Sequence, residues 1–221
     1  MTKSLTHPVV IGATGLVGKQ LIKRLQEEPT CQQITAVVRK YQKDLDALDK
    51  VQQLVLEDFL MLNDQDVSQH SHGFSCLGST MKKAGSKQAF YSIDYTINAH
   101  FAELLQQTSA HYLLLSAMGA NSQSHFYYNR VKGELEDYVQ TLTLDKISLI
   151  RPSLLIGERP EQRFLEDIAQ QVYHKVSRFI PDNFVYKPVT AEQVAHTMVE
   201  AALTQTVKFE IYDNLRIQKR K

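Results

Sequence analysis

The chain has 221 residues, 43% of them apolar and 22% charged, with a formal net charge of +1. That is enough length to bury a sizeable core, and one domain over residues 1–221 is expected. The near-neutral balance excludes a bulk attraction to nucleic acid or to an anionic membrane surface. The two cysteines, Cys31 and Cys76, form neither a disulfide framework nor a zinc pattern.

Residues 1–7 carry no long apolar core, and no run approaches the roughly 18 apolar residues of a membrane helix. A cytoplasmic protein, monomer or homodimer, is the expectation. The first element is a strand over residues 8–11, followed by Gly12-Ala13-Thr14-Gly15-Leu16-Val17-Gly18 and a helix. The apolar positions Leu16, Val17, Leu21, Ile22 and Leu25 recur at helical spacing. Gly12 permits the turn, Gly15 removes a side chain where backbone must approach a pyrophosphate, and Gly18 lets helix and strand pack closely. With Thr14, Leu16 and Val17 they are the candidate phosphate-facing residues.

Ile34-Thr35-Ala36-Val37-Val38 reads as a buried parallel strand ending at Arg39-Lys40. A dinucleotide without a 2′-phosphate usually meets an acid at that point, whereas here the first acid is Asp44. A guanidinium at Arg39, with Lys40 beside it, suits a 2′-phosphate, so NADP(H) is expected over NAD(H). Residues 51–56 form a third strand. Asp58, just after it, either accepts a hydrogen bond from the adenine amino group or sits in an exposed turn. A fourth strand over 73–78 contains Cys76, read as a small buried apolar residue, and ends at Gly78, where the backbone can pass close to the cofactor ribose. His70 and His72 lack a third ligand nearby, so no metal site is expected.

A polar loop over 79–86 places Lys82 and Lys83 toward the cofactor. The helix expected over 87–107 has Ile93, Ile97, Phe101, Leu104 and Leu105 on one face, with Tyr95 and Asn98 as packing or interface residues. A fifth strand over 111–115 ends at Ser116, a helix follows over 126–141, and a sixth strand over 146–150 stops at Arg151-Pro152. Residues 161–177 read as helical. Thr190 and Gln193 form a capping box for another helix, and residues 207–212 alternate as an edge strand. The basic residues 216–221 read as a frayed tail. The irregular, polar stretch 156–188 can cap the sheet's C-terminal edge, where ligands bind in open α/β folds.

Tyr128 and Lys132 are four residues apart and project from one helix face. An ammonium beside a phenol favours the phenolate, the tuning a general acid/base needs. A serine at a strand's end, Ser116, can hold a substrate oxygen. Tyr127 has Val131 four residues on, lacks the lysine, and is assigned to packing.

The glycine turn, Ser116, Tyr128-x-x-x-Lys132 and Arg151-Pro152 together resemble the short-chain dehydrogenase/reductase superfamily. Cys76-Leu77-Gly78-Ser79-Thr80, Leu114-Leu115-Ser116-Ala117-Met118-Gly119-Ala120 and Val131-Lys132-Gly133-Glu134 are similar to its atypical Tat-interacting-protein group. The resemblance implies an α/β, doubly wound parallel sheet (a Rossmann fold) with a small C-terminal substrate-binding part. It also implies catalytic roles for Ser116, Tyr128 and Lys132, and places Pro152 and Ser153 by the nicotinamide. The activity it implies is NADP(H)-dependent oxidation or reduction of a small carbonyl or alcohol. The alternatives are an NADPH-binding regulatory or scaffold protein with little turnover, and an epimerase-like isomerase. The chain leaves little room for a nucleotide-sugar pocket.

Overall fold

The computed structural model describes residues 4–156 and 184–220. Its strands are Pro8–Ile11 (β1), Ile34–Val38 (β2), Val51–Val55 (β3), His72–Ser75 (β4), His111–Leu115 (β5), Lys146–Ile150 (β6), Leu155–Ile156 (β7), Val189–Thr190 (β8) and Phe209–Tyr212 (β9). Seven of them form one sheet in the order β3-β2-β1-β4-β5-β6-β9, and every pairing is parallel. The chain steps outward from β1 to β3, then returns to lay β4 on the other side of β1. The strand order therefore reverses between β1 and β4, and a crevice opens at their carboxyl ends.

Both faces of the sheet are buried, which is why its strands read as nearly continuous apolar runs. Val10, Phe74 and Leu113 point to one face, against the helices Leu16–Glu27 (α1) and Ala191–Thr204. Val9, Ile11, Tyr112 and Leu114 point to the other, against Ile97–Gln106 and Tyr127–Gln140. Counted in chain order, with the short helices Lys43–Asp46 (α2), Asp64–Val67 (α3), Met81–Ala84 (α4) and Lys87–Tyr91 (α5), these become α6 (97–106), α7 (127–140) and α8 (191–204). The last is Asn214–Gln218 (α9). The doubly wound parallel sheet, the capping box of Thr190 and Gln193, and the β9 edge strand are as the sequence implies.

Three readings need correction. The fourth strand stops at Ser75, so residues 76–80 are irregular, and Cys76 is only half-buried, its Sγ 3.8 Å from Met198 Sδ. The helix expected over 87–107 is interrupted by a π-helical turn, Ser92–Thr96. The basic tail is docked rather than frayed. Arg216 lies in α9, 2.7 Å from Glu210 and over the Tyr212 ring, and Arg220 is 2.5 Å from Glu200. Most of the proposed cap over 156–188, including the helix expected over 161–177, lies outside the described residues. The chain on either side of it is joined by the parallel β7–β8 pair.

Candidate active site

At the crevice the first turn of α1 faces an open cleft of about 900 Å³. Gly12 has φ +76°, and a Cβ there would lie 2.5 Å from the backbone of Cys76 and Leu77. Glycine is required because β1 leaves the sheet in contact with the segment after β4. At Gly18 a Cβ would overlap Gly12 O, so α1 sits directly on the end of β1. Gly15 is exposed, caps α1 and lines the cleft with Thr14, Leu16 and Val17. The free N–H groups of this helix start offer partial positive charge to an anion. No acidic residue occupies the first turn to compete.

Gly78, Ser116, Tyr128 and Lys132 line the same cleft. Ser116 is buried at the end of β5, and its Oγ has no hydrogen-bond partner within the protein. Tyr128 packs on Phe90 with ring centroids 5.6 Å apart. Tyr127 points elsewhere. Its hydroxyl donates to Lys87 O at 3.0 Å, and Lys87 and Arg130 lie over its ring.

Lys132 does not stand as a free ammonium. Its Nζ lies 2.8 Å from Asp94 Oδ1, and the two side chains are 4% and 0% exposed. Burial opposes the lysine's charge, but Asp94, with lesser contributions from Tyr128 and Glu136, outweighs it and holds the Lys132 pKa above its ordinary value. Asp94 Oδ2 accepts a 2.8 Å hydrogen bond from the Ser79 backbone N–H. Asp94 reaches this position from the π turn, in which Ile97 N–H bonds back to Ser92 O. Asn98 donates its Nδ2 to Ile93 O at 2.9 Å and accepts from Ser75 Oγ, which ties the turn to the end of β4. Asn98 is therefore a buried hub, while Tyr95 stacks on Tyr91. Sequence reading missed Asp94. The available signal was an acid on the apolar face of a helix, four residues after Phe90 and four before Asn98.

Of the other sequence candidates, Arg39, Lys40, Asp58, Pro152 and Ser153 lie outside the cleft lining. Arg39 and Lys40 are exposed at the carboxyl end of β2, in a loop ordered by reciprocal bonds between Gln42 and Gln53 at 2.8 and 2.9 Å. Lys19, which does line the cleft, is 3.0 Å from Asp44 just beyond that loop. Asp58 accepts from Leu60 N at 2.9 Å and caps a 3-10 turn, Phe59–Met61. Pro152 is buried, its carbonyl accepting from Met118 N. Ser153 donates its hydroxyl to Lys187 O, and its N–H to Asn214 Oδ1, both at 2.8 Å. It tethers the returning chain. Lys83 lines the cleft; Lys82 is exposed on α4. His70 bonds His7 O at 2.8 Å, and His72 packs on His111.

An NAD(P)H-binding family model matches residues 12–205. The chain belongs to that NAD(P)H-binding family. It is an atypical, Rossmann-type relative of the short-chain dehydrogenases/reductases. It is 32% identical over 198 residues to "Protein FMP52, mitochondrial" of Candida albicans, covering 87% of this chain and 86% of that protein. It is 34% identical over 168 residues to "Protein HTATIP2" of Rattus norvegicus, covering 74% and 69%. Among solved structures, a short-chain dehydrogenase/reductase family oxidoreductase from Burkholderia thailandensis superposes with TM-score 0.70 at 15% identity, covering 99% and 95% of the two chains. UDP-glucuronic acid 4-epimerase from Bacillus cereus, in complex with UDP-glucuronic acid and NAD, superposes at 0.72 with 13% identity, covering 93% and 76%. These two likenesses are of fold. The cytoplasmic location expected for the chain is overturned, because several relatives matching 87% of it are named as mitochondrial proteins. Among the described residues no helix is long and apolar enough to cross a membrane.

Proposed function

We propose that the protein is an NADP(H)-dependent oxidoreductase that interconverts a small carbonyl compound and its alcohol. The observation that supports this reading is the convergence of the glycine turn with Ser116, Tyr128 and Lys132 on one cleft. The residues suit the cofactor on physical grounds. The turn offers unpaired N–H groups to the pyrophosphate, and Gly15, exposed on the cleft wall, puts no side chain in the cradle. Arg39 and Lys40 take the 2′-phosphate, whose two negative charges favour a guanidinium over water. Lys132 holds the nicotinamide ribose hydroxyls. An ammonium has three donors, so pairing with Asp94 leaves capacity for them.

When bound, the nicotinamide supplies or accepts the hydride at the substrate carbon. Ser116 Oγ donates a hydrogen bond to the substrate oxygen, a use consistent with a buried hydroxyl that has no protein partner. Tyr128 gives its phenolic proton to that oxygen during reduction and recovers it from solvent, or takes the alcohol proton in the reverse direction.

The test is NADPH consumption by purified protein across a panel of small aldehydes and ketones. Tyr128→Phe is expected to lower turnover by about 100-fold or more while leaving NADPH affinity within about threefold. A wild-type protein that binds NADPH but consumes none across the panel refutes hydride transfer and leaves the regulatory reading. Rearranged product with no net NADPH loss identifies an isomerase.

A further inference from the structure

The buried ion pair beneath the cleft has a purpose that packing does not supply. Replacing it with apolar side chains of the same volume would cost the fold little, since desolvating two charges offsets most of their attraction. Yet the molecule spends an irregular element on it. A π turn rotates Asp94 inward, and Asn98 satisfies the carbonyl of Ile93 alongside. Ser79 N–H fixes the second carboxylate oxygen. Gly78 leaves room, since a Cβ there would lie 3.1 Å from Asp94 Oδ1 and 3.4 Å from Lys132 Nζ.

We propose that Asp94 is a positioning residue that keeps Lys132 charged and fixed at the cleft wall before the dinucleotide arrives, so that cofactor capture does not require a buried lysine to take up a proton. The proposal rests on the cofactor reading above. Without a counter-charge, a lysine this buried sheds its proton readily. The other titratable groups facing the ammonium are Tyr128 and Glu136, both on its own helix. Glu136 is already engaged by a bidentate pair with Arg151, the Nε bond being 3.0 Å, so it cannot take Asp94's place. Asp94 touches no reacting atom in this scheme. It acts through Lys132, as pre-organisation of a binding group rather than as an acid or base.

The experiment is ammonium titration of Lys132 by NMR in ¹³C-lysine-labelled full-length protein, assigned with Lys132→Met, alongside NADP⁺ binding as a function of pH. In Asp94→Asn the Lys132 midpoint is expected to fall by about one pH unit or more. NADP⁺ affinity should be lost at a correspondingly lower pH than in wild type. Asp94→Glu should restore part of both. A folded Asp94→Asn protein whose Lys132 midpoint is unmoved overturns the proposal. If Asp94→Asn does not fold, the wild-type titration carries the test: its Lys132 midpoint is expected above the ordinary lysine value of about 10.4, and a midpoint well below that value overturns the proposal. Wild-type protein that fails to bind NADP⁺ would sink the cofactor reading, whereas the lysine titration reports on Asp94 regardless.

Discussion

Gly15 and Gly18 lie three residues apart in one turn, yet alanine should do opposite things at the two positions. At Gly18 the added methyl overlaps Gly12 O and lies 2.9 Å from Ala13 Cα, against an ordinary contact of 3.4 Å or more. Both obstacles are backbone, so neither can rotate away. The start of α1 must retreat by about 1 Å, which stretches the 3.0 Å bond from Gly15 N to Gly12 O. Overpacking of this kind costs about 1–3 kcal/mol. For a chain of this size that is a fall in Tm of roughly 3–10 °C. At Gly15 the methyl meets only Gly12 O, at 3.2 Å, and φ is −74°, which any residue adopts. Stability should change by less than about 0.5 kcal/mol. The methyl instead occupies the side from which a pyrophosphate approaches, and NADPH affinity should drop tenfold or more, about 1.4 kcal/mol. Thermal unfolding and calorimetric titration of the two variants separate the effects. Equal loss of stability in both, or undiminished NADPH binding in Gly15→Ala, would show that the cradle is wrongly assigned.

Arg39→Ala should weaken NADPH binding by about tenfold or more, the loss of a charge-assisted contact, while leaving NADH binding unchanged. Equal effects on the two cofactors in direct titrations would remove Arg39 from the 2′-phosphate site. His111, at the start of β5, is buried with its Nε2 2.7 Å from Ser148 Oγ. Burial, then His72 and Lys146, lower its pKa to about 3. The unfolded chain protonates this histidine below about 6.5 and the folded chain does not, so its contribution to stability is complete above that pH and lost as pH falls toward 3. The loss should be about 2 kcal/mol by pH 5, and urea unfolding at pH 7.5 and 5 should show it shrinking in His111→Gln. An equal pH dependence in that variant would place the titrating group elsewhere.

Much of the site follows from short-range chemistry. Tyr128 and Lys132 share a helix face because four residues make about one turn, and the glycine turn is legible because its tasks are steric and local. Asp58 was ambiguous because an acid after a strand can bond a ligand or its own backbone, and Leu60 N–H, two residues on, takes it. Ser153 is placed by the nicotinamide only through the family resemblance. Its partners Lys187 and Asn214 arrive from across a long excursion of the chain that pattern reading does not follow. Residues 87–106 are helical as expected, but apolar periodicity does not register the single π turn within them.

Sequence alone thus determined the order of strands and helices, the parallel sheet with two buried faces, and the glycine turn with its Ser116, Tyr128 and Lys132 companions. These depend on periodicities and spacings within one or two turns of chain. The tertiary structure alone decided that Lys132 is held by Asp94, that Ser79 N–H fixes that carboxylate while Asn98 ties the π turn to the end of β4, and that Ser153 bonds Lys187 and Asn214. The contacts around Asp94 join residues brought together by β4 and β5 lying side by side, whereas Ser153 meets Asn214 because β6 and β9 pair, and a buried charge chooses its partner by proximity in space rather than by separation along the chain.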